Sequence, residues 1–506
     1  HAIHTGDSDG YEGGKEAFAF IPKAVIPNLP KLTGQSYQGG EHRFFVDGSP
    51  IVSDVYIGGE WRTVMVGTLR AGGKSVFALD ITEPGPDGSG VKLLWEIDNQ
   101  TAGYRDLGYT FARPEIARLH SGEWAVLLGN GYDSTNSNTG INDIASMFVI
   151  DIRNGNLIRQ LKVDDGSGLP NGLSSVRGAD NNSDGIVDYA YAGDLRGNLW
   201  RFDLISTGST GSSADPFDRS VQTTVTPSIF KIAYGGQPML KARYNNDSSL
   251  PQAITAIPSL IRHPTRRGYL VIVGTGKYFE TSDAAPDTSR ANSIYAVWDR
   301  YTLAQNTSAA DARANRTNME PRTITNQSNE TFTSDGGSIT SLIRVISDGR
   351  VEWYNPGTTT TQEANESNVA RRGWYLDLRV NSGALDGEMM VNEMLARGKT
   401  LLFSTNTPDD DPCADGLTSF LYGINAQTGA RTDLPPFDFN RDGKIGEGDL
   451  NSSDIPPSGI QIGSPGGVAL TGDGLIYGND DIIDFVIPPE EQGRQSWQYL
   501  PTQEAP

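Results

Sequence analysis

Cysteine is almost missing: Cys413 stands alone, so no disulfide framework can close within these 506 residues, and the redox compartment is not legible from it. A thiol partner outside the chain stays open. The five histidines (His1, His4, His42, His120 and His263) are scattered and never fall at zinc-ligand spacing, which speaks against a zinc site. Positive charge is scarce, with 41 Lys and Arg against 62 Asp and Glu for a formal net charge of −21. A field of that sign repels phosphate backbones and anionic lipid, so nucleic acid is not an expected partner and cations are the natural counterpart. No run of about 18 apolar residues occurs, so no transmembrane segment is expected. The chain opens at His1 rather than at a methionine, which reads as a processed or excised fragment.

Turn residues are plentiful. With 59 Gly, 28 Pro and a hydrophobic content of 37%, the composition describes many short strands and sharp reversals, hence an all-β domain. Five segments share an apolar stretch that closes on an acidic or amide residue: Phe77-Ala78-Leu79-Asp80, Phe148-Val149-Ile150-Asp151, Trp200-Arg201-Phe202-Asp203, Trp374-Tyr375-Leu376-Asp377 and the degenerate Leu421-Tyr422-Gly423-Ile424-Asn425. Partner strands end on glycine at Trp61 to Gly67, Trp124 to Gly129 and Tyr269 to Gly274. Repeated strand ends of this kind favour a β-propeller with loop insertions, and stacked β-sandwiches are the alternative. The whole of 1–506 is expected to be one domain, with a polar insertion at about 303–372 read as loops around one or two weak strands.

Two segments carry chemistry. Asp438-Phe439-Asn440-Arg441-Asp442-Gly443-Lys444-Ile445-Gly446-Glu447-Gly448-Asp449 matches the EF-hand loop pattern. It offers side-chain oxygens from Asp438, Asn440, Asp442 and Asp449 and the Lys444 carbonyl, while Gly443 permits the sharp turn. An aspartate at the twelfth position reaches less far than glutamate, and Pro435-Pro436 rules out a preceding EF helix; an Asx-rich turn without metal is the alternative. The second segment, Asp180-Asn181-Asn182-Ser183-Asp184-Gly185-Ile186-Val187-Asp188, supplies Asp180, Asn182, Asp184, the Ile186 carbonyl and Asp188. Tyr191 stands at its twelfth position and cannot serve a calcium ion, so by spacing alone it is the weaker match.

Other patterns dissolve. Gly6-Asp7-Ser8-Asp9-Gly10 spells a nucleophile elbow, but no apolar strand precedes it and its two carboxylates oppose an oxyanion. Gly73-Lys74-Ser75 is followed by a strand where a phosphate loop needs a helix, so it is a hairpin turn.

The stretch Asp188-Tyr189-Ala190-Tyr191-Ala192-Gly193-Asp194-Leu195-Arg196-Gly197-Asn198-Leu199-Trp200-Arg201-Phe202-Asp203-Leu204, taken with the loop before it, resembles the PilC/PilY family of type IV pilus biogenesis factors, the tip-associated adhesin family. Matches at 61–80, 108–114, 129–132, 273–278 and 405–413 extend the resemblance over nearly the whole chain. It implies the C-terminal domain of a longer protein, built as a modified seven-bladed propeller. It also implies that calcium binds Asp180, Asn182, Asp184, the Ile186 carbonyl and Asp188, which reverses the ranking of the two loops that spacing suggested.

The function so implied is regulation of pilus biogenesis, extension and retraction, and twitching motility, with a part in surface adhesion and virulence. The place is outside the cytoplasm, in the periplasm, at the outer membrane and cell surface and at the pilus tip. The partners are pilins, minor pilins, the outer-membrane secretin and a host surface. No catalytic role is expected. Ala78 to Gly85 approaches a quinoprotein dehydrogenase strand end, but one cysteine cannot form the adjacent-cysteine disulfide of those enzymes, and Ala430-Arg431 follow Gly429 where a docking tryptophan would stand. An adhesive or carbohydrate-binding propeller with structural calcium, stacking ligand on Tyr132 and Trp353, is the remaining alternative.

Overall fold

In the first half of the chain, short strands closed by tight turns pair with their neighbours in chain order, and each such meander makes one sheet. The structure, a computed structural model, describes residues 1–6, 12–34, 37, 42–134, 143–208, 216–217, 222, 225–309, 313–334, 336–355, 369–409, 417–463, 468–471, 474–477 and 481–484. Residues 7–10 of the elbow-like pattern, parts of the 303–372 insertion and Cys413 lie outside them.

The first sheet runs Ile51–Ile57, Glu60–Thr68, Ser75–Asp80, Lys92–Asp98, all antiparallel. The second repeats the plan with Glu115–Arg118, Trp124–Gly129, Ala145–Asp151 and Leu157–Val163. The third uses Leu173–Ala179, Tyr189–Asp194, Asn198–Asp203 and Lys231–Ile232, with Leu240–Lys241 also on its third strand.

The strand ends repeat for a local reason. Asp80, Asp151 and Asn425 each accept a backbone N–H from two residues on (Thr82, Arg153 and Gln427) and so build the turn that reverses the chain. Asp203 and Asp377 are instead paired with Arg201 and Arg316.

Sheets stack face to face, and the period of two shows how. In Trp124–Gly129, Val126 and Leu128 pack with Val64, Val66 and Phe148, while Ala125 and Leu127 turn to a second cluster with Ala190, Ala192, Trp200 and Phe202. In Tyr189–Asp194, Ala190 and Ala192 join that second cluster and Tyr189 and Tyr191 join a third with Val271, Val273 and Tyr295. Central strands buried on both faces read as unbroken apolar runs, and each fully buried large side chain contributes about 1.5–3 kcal/mol. A two-sheet sandwich leaves its outer faces to solvent, so the stacking excludes that alternative and leaves the blade arrangement.

Seven separate blades are not drawn: the described residues form six sheets, one of two strands and one of three. The departure sits in the 303–372 insertion. Instead of loops around weak strands, it contains Glu320–Ser334 and Gly337–Ile346, a hairpin of 15 and 10 residues. Its first strand pairs in parallel with Gly373–Val380 and its second pairs with Gly459–Ile462, so two four-stranded units fuse into one ten-stranded sheet. Its many exposed Thr, Asn and Ser residues hid an apolar row of Phe332, Ile343 and Val345, while beyond a register shift Ile324 and Ile346 pack into a different cluster.

Candidate metal centre

The loop between Leu173–Ala179 and Tyr189–Asp194 is wound by its own side chains. Asp180 Oδ1 accepts from Ser183 N at 2.6 Å and Asp184 N at 3.2 Å, and Oδ2 from Gly185 N at 2.7 Å. Asn182 Oδ1 accepts from Asp184 N at 3.3 Å, and Asp184 Oδ1 from Ile186 N at 2.8 Å. Ser183 and Gly185 lie at φ of +65° and +82°, the left-handed positions that let the loop wind this tightly.

Asp188 closes the loop from below. It is fully buried; its Oδ2 accepts from Asn181 N at 2.6 Å and its Oδ1 lies 2.7 Å from His120 Nε2. Burial pushes its carboxyl up to about 6 despite the bonds from His120 and Asn181. Asp180 is raised too, first by burial, and the carboxylate of Asp184 adds to the effect. Loss of water and mutual repulsion make the acidic set hard to keep charged, and a divalent cation relieves both.

The loop is also clasped from the next sheet. Arg262 donates to Asn181 Oδ1 at 3.0 Å and to the Asn181 carbonyl at 2.5 Å, Tyr269 donates to the Asp180 carbonyl at 3.1 Å, and Asn181 Nδ2 donates to the Thr302 carbonyl at 3.0 Å. His120, Arg262 and Tyr269 escaped sequence reasoning, since nothing local ties them to a loop 68 or more residues away.

The second loop, 438–449, has the same wiring. Asp438 accepts from Asp442 N at 3.2 Å and Gly443 N at 2.7 Å, Asn440 Oδ1 from Asp442 N at 2.9 Å, and Asp442 Oδ1 from Lys444 N at 2.8 Å. Arg441 and Gly443, at φ of +57° and +80°, occupy the stations of Ser183 and Gly185. Asp449 comes in from the twelfth position and accepts from Asn440 N at 3.1 Å and Gly446 N at 2.9 Å. Buried Phe437 and Phe439 anchor the loop, and Phe439 stacks on Phe332 of the inserted hairpin at 5.2 Å.

Among the described residues, no three or more carboxylate, imidazole or thiol side chains make a metal cluster by themselves. An ion in either loop therefore depends equally on the amide oxygen of Asn182 or Asn440 and on the carbonyl of Ile186 or Lys444. That mixed, all-oxygen donor set suits calcium, and a carboxylate oxygen that accepts one hydrogen bond keeps a lone pair for a cation.

Neither aromatic proposed to stack on a ligand is exposed. Tyr132 is buried against Phe279 with ring centroids 4.6 Å apart, and Trp353 packs half-buried on His263 and Trp298.

Stacked antiparallel meanders joined in two places by Asx-wound loops define an all-β propeller scaffold. Residues 1–336 match the family model of the PilY1 beta-propeller domain, and the chain belongs to that family. It is 47% identical over 514 residues to a type IV pilus biogenesis factor PilY1 of Pseudomonas aeruginosa, covering 98% of this chain and 42% of that protein. It is 32% identical over 515 residues to a PilY1 homolog of Xylella fastidiosa, covering 98% of this chain and 35% of that protein. The chain thus spans less than half the length of these relatives. The crystal structure of the Pseudomonas aeruginosa PilY1 C-terminal domain superposes with a TM-score of 0.77 at 41% identity, over 94% of this chain and 89% of that one. No helix among the described residues is long and apolar enough to cross a membrane.

Proposed function

We propose that this chain is the calcium-responsive propeller module of a type IV pilus biogenesis factor, non-enzymatic and acting outside the cytoplasm. Calcium is held by Asp180, Asn182, Asp184, the Ile186 carbonyl and Asp188, and a second ion by Asp438, Asn440, Asp442, the Lys444 carbonyl and Asp449. The observation that carries this reading is the wiring shared by the two loops, together with the carboxyl of Asp188 raised by burial beside His120.

The chain's own residues explain how an ion in the first loop reaches further. Asn181 is bonded at once to Asp188, Arg262 and Thr302, so the shape of the loop is read by the strand Ser259–Arg262 and by the segment after Asp299. Filling the loop fixes that junction, and emptying it releases three mutually repelling carboxylates against it. In the whole factor this change of shape would govern whether pili stay extended or are withdrawn, through contacts with pilins, minor pilins or the secretin. Adhesion to surfaces belongs to the same proposal.

The test is bound calcium per chain, with the parent protein compared against D188A and D442A. Two ions in the parent and one in each variant support the reading; none in the parent, or an unchanged count in both variants, defeats it. Calcium that no chelator removes would leave a structural ion and end the switch.

A further inference from the structure

A net charge of −21 makes any gathering of unpaired cations in this chain unusual, and one exists at the far end of the Tyr189–Asp194 strand from the calcium-type loop. There Arg196, Lys241 and Arg243 line a hollow of about 560 Å³ together with Ser248, Asn315 and Thr317. No apolar side chain lines it. Its wall is therefore polar throughout, with three cations against the one carboxylate of Asp165.

Arg243 and Lys241 are hydrogen-bonded to neutral groups, while Asp165 and Asp194 act on the arginines through space rather than as ion pairs. Arg243 Nη1 donates to the carbonyls of Arg196 at 2.7 Å and Ala242 at 2.8 Å, and Nη2 to Asn198 Oδ1 at 3.3 Å. Burial pulls its guanidinium below the ordinary arginine range, as happens when a cation loses water without full counter-charge. Arg196 Nε is buried without a hydrogen-bond partner, and Arg196 also lines the neighbouring hollow of about 870 Å³, so it stands between the two spaces. Lys241 is exposed, and its Nζ reaches the Asp165 carbonyl at 3.3 Å. Asp165 is the carboxylate on this wall, but its oxygens are directed to Ser167 N at 2.9 Å and Asn198 Nδ2 at 3.3 Å. By contrast, Lys277 and Arg290 in the adjoining hollow are neutralised by Glu280, Asp283 and Asp287.

We propose that the Arg196–Lys241–Arg243 hollow is a binding site for an oxyanion, a phosphate, sulfate or carboxylate group presented by a ligand. Planar guanidinium groups beside hydroxyl and amide donors match the oxygens of such a group, and the excess of three cations over the one carboxylate on the wall, Asp165, supplies the attraction. The strand separating this site from the 180–188 loop spans about 20 Å, so the proposal stands independently of calcium.

The experiment is an equilibrium titration of the purified chain at fixed ionic strength, in chelator, with sodium phosphate, sodium sulfate and a glutamate-rich octapeptide as separate probes. Saturable binding of at least one probe is expected, weakened at least tenfold in R196Q and in K241Q and largely retained in R196K. Phosphate or sulfate binding identifies the free or esterified oxyanion as the source; binding of the peptide alone identifies a carboxylate chain. Should R196Q fail to fold, K241Q carries the test, because Lys241 lies at the surface. The proposal is overturned if no probe saturates, or if K241Q and the folded Arg196 variants bind as the parent does.

Discussion

His120 and Asp188, 68 residues apart in sequence, meet with Nε2 2.7 Å from Oδ1 and no solvent on either side chain. The tip of the Glu115–Arg118 to Trp124–Gly129 hairpin is thereby fixed to the floor of the first loop in the next sheet. A buried carboxylate that loses its partner keeps the full cost of its lost water.

Replacing His120 by Ala should therefore destabilise the chain by about 2 kcal/mol in chelator and by clearly less in saturating calcium, where an ion takes over the charge of Asp188. Urea unfolding under the two conditions measures this. Equal losses in both would detach His120 from ion binding.

Asp188→Ala and Asp188→Lys should part company. Both remove an ion from the first loop, but an ammonium brought near Asp180 and Asp184 replaces part of the missing charge. In a cell whose pilus factor carries these changes, twitching should fall more with one variant than with the other, and identical motility would rule out charge mimicry.

Phe332→Ala tests the tie between the inserted hairpin and the second loop. Removing a buried ring that stacks on Phe439 should cost about 3–5 kcal/mol and weaken the ion at 438–449 while leaving the ion at 180–188 unchanged. Calcium titration in the D188A background reads the second loop alone.

His263 should make the fold acid-sensitive. Its ring lies 4.0 Å from that of Trp298, and burial pushes its pKa from 6.5 down to about 3. Between those values the unfolded chain binds a proton that the folded chain refuses, so stability rises with pH in this window and is lost as pH falls from 6.5 towards 3. The slope from this residue approaches about 1.4 kcal/mol per pH unit. His263→Phe should flatten the acid limb relative to the parent; a difference between the two that does not change between pH 7.5 and pH 4 would contradict this assignment.

Much of this was legible in advance because it is local. Trp124–Gly129 and Tyr269–Gly274 were bounded by their closing glycines, and the five strand ends announced themselves through the Asx turns and arginine pairs that their last residue makes. The winding of the two loops was legible because the side chains that wind them are written into consecutive residues. What stayed hidden is long-range. His120, Arg262 and Tyr269 reach the first loop only after sheets stack, and no spacing along the chain records that meeting. The hairpin at 320–346 hid differently: its solvent face is so polar that the inward row, interrupted by a register shift near Ile324, did not stand out.

That hairpin also bears on how the molecule yields to tension. In an ordinary propeller each blade can be peeled away singly, because little but side-chain packing joins it to the next. Here a backbone ladder runs without a break from Ser259–Arg262 across to Leu395–Arg397. A load applied along the chain would therefore meet residues 259–462 as one hydrogen-bonded ladder rather than as separate blades.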